Sequence, residues 1–262
     1  VTGALCAAGA DLNLKGAPSK FFGFHGAPPV NLAAGCGHDS VVALLCSARA
    51  RLDLQVLDGL GVMQRAAHWG HVGVLRLLLR HGADAGERAR DGTGPFHSAA
   101  VYGHTDVLKL LRDVSAGVDG VGNDGTSPLH VAAYRGHMHA IRFLLAAGAD
   151  AARATKDGAT PLHAAAVSGN VDVLRTLCAA RAPINAAKRT GATPLHVAIW
   201  AGHVWAVAHL CSVGADRRRR VSTLTPRDLA MEVGHAEIAR ELENWRFALS
   251  PGVGKPQPQM KK

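Results

Sequence analysis

The chain has 262 residues, 48% of them hydrophobic but only 5% aromatic, with 29 Lys and Arg against 20 Asp and Glu for a formal net charge of +9. Apolar surface therefore comes as Ala, Leu and Val, which suits thin stacked layers rather than one bulky core. No run reaches the roughly 18 apolar residues a membrane helix needs and no secretory leader is visible, so a soluble intracellular protein, cytoplasmic or nuclear, is expected.

In chain order, VTGALCAAGADLN reads as a second helix closed by Gly-Ala-Asp whose first helix is missing, as in a fragment of a longer protein. Asp11 to Gly26 spans 15 residues where Asp84 to Gly92 spans 8, so the first finger carries extra chain, including Phe21, Phe22 and Phe24. Folding of these rings over the raw end of a stack is favoured over their use as a partner anchor. Next, Gly26, Gly59, Gly92, Gly125, Gly158 and Gly191 recur every 33 residues. Each is followed by a helix start, clearest around Pro128, Pro161 and Pro194. Thr160 is expected to cap its helix by accepting from a backbone N–H, with Pro161 at the first helical position. Ala164 to Ala166 then allow close approach, and Gly169 supplies the positive φ that ends the helix. A second helix from Val171 to about Ala180 places Val171, Val173, Leu174 and Leu177 on one apolar face. Two such short helices cannot bury that face alone, so copies must stack.

This recurring unit resembles the ankyrin repeat family; the resemblance covers residues 1 to about 245, with the unit in register six times. The resemblance implies an all-α solenoid of stacked helix-turn-helix units with hairpin-like fingers, binding on its concave side. The divisions are a partial repeat 1–25, repeats 26–58, 59–91, 92–124, 125–157, 158–190 and 191–222, a capping repeat 223–245 and a disordered tail 246–262. In the first units Pro28, Gly61 and Gly94 replace Thr, Val62 replaces Pro, and Asn31 and Gln64 replace His, so weaker caps are expected there. Glu232, Glu237, Arg240, Glu241 and Glu243 give the last unit the polar outer face of a cap.

Repetition also accounts for residues that would otherwise suggest chemistry. Cys6, Cys46, Cys178 and Cys211 share one buried helix slot, Cys36 lies in a turn, and there is no CxxC pair. His97, His130, His163 and His196 fill one slot, and His38, His71, His104, His137, His203 and His235 another. The resemblance implies that the first slot bonds the capping Thr and the second braces the turn. His25, His68, His81, His139 and His209 are scattered among different units, which does not make a metal site. A phosphate loop at Gly252 to Lys255 fails because Leu249 and Pro256 stand at essential positions. No catalytic residue, metal or cofactor is assigned.

Two surfaces remain. The two positions before the turn glycine hold Trp69, Tyr102, Tyr134, Arg135 and Trp200, and aromatic residues and Arg are the usual binding hot spots. The fingers carry Arg88 and Arg90, Arg153 and Lys156, Lys188 and Arg189, then Arg217, Arg218, Arg219 and Arg220. Together they suggest a monomeric, non-enzymatic scaffold or adaptor that holds a protein with an acidic or extended segment. The alternatives are binding of nucleic acid or anionic lipid through the arginine run, or a targeting or regulatory piece of a larger protein. Nucleic acid is disfavoured because no recognisable module accompanies the charge. A ubiquitin-ligase box is disfavoured by the short tail. Asn13 and Asn185 occupy finger positions that are hydroxylated in some family members.

Overall fold

The computed structural model describes residues 11–14, 27–56, 59–114 and 117–247. Most of the partial first repeat, with Cys6, Phe21, Phe22, Phe24 and His25, lies outside the described residues, as does the tail beyond Phe247. Two compact units form, Val1–Lys156 and Asp157–Lys262. The first contains α1 (Pro29–Gly35), α2 (Asp39–Ser47), α3 (Val62–Trp69), α4 (Val72–Arg80), α5 (Pro95–Tyr102), α6 (Thr105–Asp113), α7 (Pro128–Arg135) and α8 (Met138–Ala146). The second contains α9 (Pro161–Ser168), α10 (Val171–Ala179), α11 (Pro194–Trp200), α12 (Val204–Ser212), α13 (Pro226–Glu232) and α14 (Ala236–Phe247). Among the described residues there is no strand, only an isolated bridge between Val221 and Leu224.

Within each unit the first helix of a pair packs on the next first helix, and the second on the next second, giving two layers. Small side chains permit the first layer: Ala66, Ala67, Ala99, Ala100, Ala132 and Ala133 are fully buried. The second layer supplies larger side chains, with Leu75, Leu78, Leu108, Leu111, Ile141 and Leu144 in the first unit and Leu174, Leu177 and Leu210 in the second. Truncating one of these leucines to Ala removes about 2 to 5 kcal/mol, because the stacked layers cannot fully close over the cavity.

The joint between neighbouring pairs is a side chain at the third position of each first helix. His163 Nδ1 accepts the Thr160 backbone N–H at 3.1 Å and sits 3.0 Å from its hydroxyl, while Nε2 lies 3.1 Å from the Ala192 carbonyl of the next finger. A backbone N–H can only donate and a carbonyl can only accept, so the ring is held neutral with its proton on Nε2. Thr160 and His163 thus form a reciprocal capping box, the Thr160 side chain serving the N3 backbone and the histidine the backbone of Thr160. His97 repeats the arrangement between Gly94 and Thr126, and His196 between Thr193 and Arg219. Burial lowers the pKa of both rings.

Substitutions in that slot follow the same rule. Gln64 reaches back to Gly61 N–H at 3.5 Å and forward to the Thr93 carbonyl at 2.9 Å. Its helix is not weakly capped as expected, because Glu87 of the following finger accepts the Gln64 N–H at 2.6 Å. A Cβ on Gly61 would collide with that carboxylate, so the glycine makes room for a cap supplied from elsewhere in the chain. Asn31 is the exception. Its amide donates to the Leu54 carbonyl, but its Oδ1 is buried without a partner. The residue it faces, Pro28, has no N–H to give.

The second histidine slot braces the preceding pair rather than its own turn. His71, His104 and His137 donate through Nε2 to the carbonyls of Gly35, His68 and Val101, and His203 to that of Val167. Each ring lies against the preceding turn glycine: at Gly103, with φ of 72°, an added Cβ would stand 2.9 Å from His137 Cγ. Where other outer helices end in a left-handed glycine, Arg49 and Arg181 adopt φ of 60° and 61°.

At the C-terminal end Asp228 replaces the histidine and forms a reciprocal box with Thr225, accepting its N–H and hydroxyl while its own N–H donates to Thr225 Oγ1. The polar face of α14 is exposed at Glu237 and Arg240, over buried Ile238, Ala239 and Leu242. The helix continues through Phe247, so the division placed at 245 with a disordered tail from Arg246 falls two residues early.

Pro28→Ser is expected to stabilise the protein by about 1 kcal/mol, by restoring a donor to Asn31 Oδ1 and adding a capping hydroxyl. A denaturation midpoint unmoved by the change would contradict this account of the first pair.

The pH dependence contains two opposing parts. Lowered pKa values at His97 and His196 mean that their contribution is complete above 6.5 and is lost as pH falls below it, since the unfolded chain then binds protons the folded chain refuses. Burial raises Glu87 from 4.5 to about 7, against the helix N–H groups that lower it, so its contribution is complete below 4.5 and lost as pH rises through about 7. Glu87→Gln keeps an acceptor oxygen and abolishes the second part alone. Between pH 4.5 and 6.5 the variant's stability should climb with pH more steeply than that of the unsubstituted chain. Parallel curves from chemical denaturation would show that Glu87 does not titrate there.

Candidate partner-binding surface

Once the alanine pair of each first helix is buried, the residues that follow it reach the surface. In the first unit these are Trp69, Tyr102 and Tyr134, exposed by 50%, 47% and 51%, so packing between repeats leaves half of each ring open. Arg135 is exposed beside Tyr134, its guanidinium carbon 5.9 Å from the ring centroid.

Histidine rings order part of this surface. His68 lies 5.0 Å from Trp69 and 4.2 Å from Tyr102 between ring centroids, and Tyr102 stacks on His104 at 6.1 Å. His104 is itself fixed by its bond to the His68 carbonyl. Rings held by such contacts lose little conformational freedom on meeting a partner. His68 was thus among the scattered histidines in sequence, yet it joins the aromatic group in space.

A groove of about 510 Å³ opens beside this group, lined by Tyr102, His68, Val101 and Val131 together with Asp91 and Asp124 of two successive fingers. Backbone bonds hold those fingers together: Asn123 N–H donates to the Asp91 carbonyl at 2.6 Å, and Lys156 N–H to that of Asp124 at 2.7 Å. Burial raises Asp91 but the Thr93 hydroxyl and amide outweigh it, holding its carboxyl below the usual range. The Thr126 hydroxyl and amide do the same for Asp124. Both carboxylates are therefore charged at neutral pH. A second groove, of about 850 Å³, lies on the side of the outer helices, between Arg49 and Gln55 and between His81 and Arg88.

In the second unit Trp200 is 44% exposed and Trp205 70% exposed. Trp205 was missed in the sequence, although there was a signal for it. The same slot one and three repeats earlier holds Asp172 and Asp106, so a tryptophan there is out of pattern. Arg189 is exposed at a finger whose N–H donates to the Asp157 carbonyl, while its neighbour Lys188 pairs with the Asp157 carboxylate at 2.8 Å.

The arginine run is not uniform. Arg218, Arg219 and Arg220 are exposed, but Arg217 is half-buried and close enough to Cys211 to act on its thiol. This corrects the expectation of four exposed arginines. In the local turn, Asp216 N–H is held by Asn185 Oδ1 and Arg218 N–H by Asp216 Oδ1, which directs successive side chains differently.

Thiol chemistry is disfavoured at the outer-helix cysteines. Burial pushes the Cys211 thiol up to about 12 and raises Cys46 and Cys178 as well, though Cys178 is half-buried rather than buried as the shared slot suggested. Among the described residues no group of three or more His, Cys, Asp or Glu side chains could hold a metal ion. No helix among them is long and apolar enough to cross a membrane.

Comparison with known families gives one result. The family model described as ankyrin repeats (3 copies) matches residues 30–121, 63–155, 113–188 and 151–221, which overlap along most of the chain. No curated protein matches it.

Proposed function

Because the chain belongs to the ankyrin repeat family, whose repeats generally mediate protein–protein interactions, we propose that it is a non-enzymatic scaffold or adaptor that holds an extended segment of another protein. The observation that carries this reading is the exposure of Trp69, Tyr102 and Tyr134 in a chain that is only 5% aromatic. Large, partly ordered rings open to solvent are costly to leave uncovered and are the usual anchors of an interface. In the second unit Trp200 and the exposed guanidinium groups of Arg189, Arg218, Arg219 and Arg220 offer a further contact, suited to acidic residues. The protein acts as a monomer inside the cell, in the cytoplasm or nucleus, a setting that fits the unpaired thiols of its described cysteines.

Affinity capture with the intact chain provides the test. Tyr134→Ala and Trp200→Ala should each weaken the captured complex by about 2 kcal/mol while leaving the melting transition in place. Replacing Arg218 to Arg220 with Ser should slow association of an acidic partner without unfolding the chain. A lowered melting temperature with binding retained would make the rings packing residues. Micromolar binding of duplex DNA or single-stranded RNA, abolished by the Ser changes, would overturn the protein-scaffold reading in favour of nucleic acid.

A further inference from the structure

The groove in the first unit differs in charge from everything around it. The chain carries a net +9, yet the groove's lining includes Asp91 and Asp124 and no lysine or arginine. The nearby Arg88 keeps its charge and acts on His97 of the lining, but its Nη1 is directed to the Gly92 and Val121 carbonyls at 2.8 and 2.7 Å rather than to either carboxylate. More distant arginines count for little, because at physiological salt charges beyond about 8 Å are largely screened. Of the charged groups near the groove, the two that line it are both carboxylates, so it is acidic at its own surface.

Both carboxylates retain capacity for a ligand. Asp91 Oδ1 takes the amide and hydroxyl of Thr93, leaving Oδ2. Asp124 takes one Thr126 group on each oxygen, and each oxygen keeps a further lone pair. Opposite in chemistry are the half-exposed Tyr102 and the His68 ring tilted against it at 52°. Flat aromatic rings beside unspent carboxylate oxygens match a planar guanidinium, which stacks and donates several hydrogen bonds at once. An acidic side chain would meet like charge there.

Resting on the scaffold reading, we propose that this groove receives an arginine side chain of the partner's extended segment, packed on Tyr102 and paired with Asp91 and Asp124. The partner is then of mixed charge: basic where it meets the first unit, whatever it presents to the exposed arginines of the second. A purely acidic segment does not suit this part of the surface.

The intact, isotope-labelled chain can be titrated with Nα-acetyl-arginine amide and, separately, with Nα-acetyl-glutamate amide while amide NMR signals are followed. The arginine compound should shift the signals of Asp91, Tyr102 and Asp124 saturably, and the glutamate compound should not. Asp91→Asn keeps the one oxygen that serves Thr93, and Asp124→Asn keeps one of the two that serve Thr126, its new amide N–H facing a hydroxyl that can also accept; together they remove the charge and should weaken binding about tenfold, and Tyr102→Leu should weaken it several-fold. Added salt should weaken binding to the unsubstituted chain, a readout that needs no variant to fold. Absent shifts at these residues, equal binding of the glutamate compound, or unchanged affinity in a folded Asn double variant would each overturn the proposal. Partner capture that survives in the face of such a result would leave the scaffold reading standing; saturable arginine shifts with no partner captured would do the reverse.

Discussion

The fold depends on one bifunctional side chain, placed at the third position of each first helix. It accepts from the N–H that opens its own helix and donates to the carbonyl of the next finger. Neither bond alone would be worth much more than about 1 kcal/mol. Both groups are buried, however, so an unmade bond leaves an orphan whose desolvation is not repaid. Neutral histidine suits the position because its two nitrogens differ in role and point in opposite directions. Glutamine at 64 has one acceptor and one donor on a flexible stem, and meets both demands with a longer backward bond. Asparagine at 31 keeps only the forward bond, since Pro28 offers no N–H. Aspartate at 228 makes the backward ones.

This explains how much could be read without coordinates. The 33-residue recurrence, the turn glycines and the helix starts are local signals repeated many times, and they located the helices closely. What escaped was whatever depends on a partner from another repeat. Glu87 reads as an ordinary finger residue, and nothing in its neighbours reveals that it caps a helix beginning 25 positions earlier, at Val62. Arg217 reads like its three neighbours until the turn around Asp216 directs it toward Cys211.

The surface was legible only in part, for a related reason. Repetition separates architectural residues from the rest, and on that basis Trp69, Tyr102, Tyr134 and Trp200 stood out as residues that stacking does not require. Their exposure is consistent with that separation. His68 occupies one of the same two positions before the turn glycine, but its place against Tyr102 appears only in space, and Trp205 was passed over. Asp91 and Asp124 carry no such signal in sequence, although serving Thr93 and Thr126 uses only part of what a carboxylate can accept.

Counting charges along the fingers consequently misstates what a partner meets. Lys188 is paired with Asp157 and Arg217 is half-buried near Cys211, so the basic surface is smaller than the sequence total implies, although Arg88 keeps its charge while bonded to two neutral carbonyls. Carboxylates held ionised by their own threonines remain at the surface beside the rings. In a stack of near-identical units, selectivity must come from side chains that the joints leave over. Because the joints consume charges unevenly, each pair presents a different residue of sign and shape. A chain with a strong overall positive charge can thus offer an acidic, aromatic recess in one unit and exposed guanidinium groups in the other.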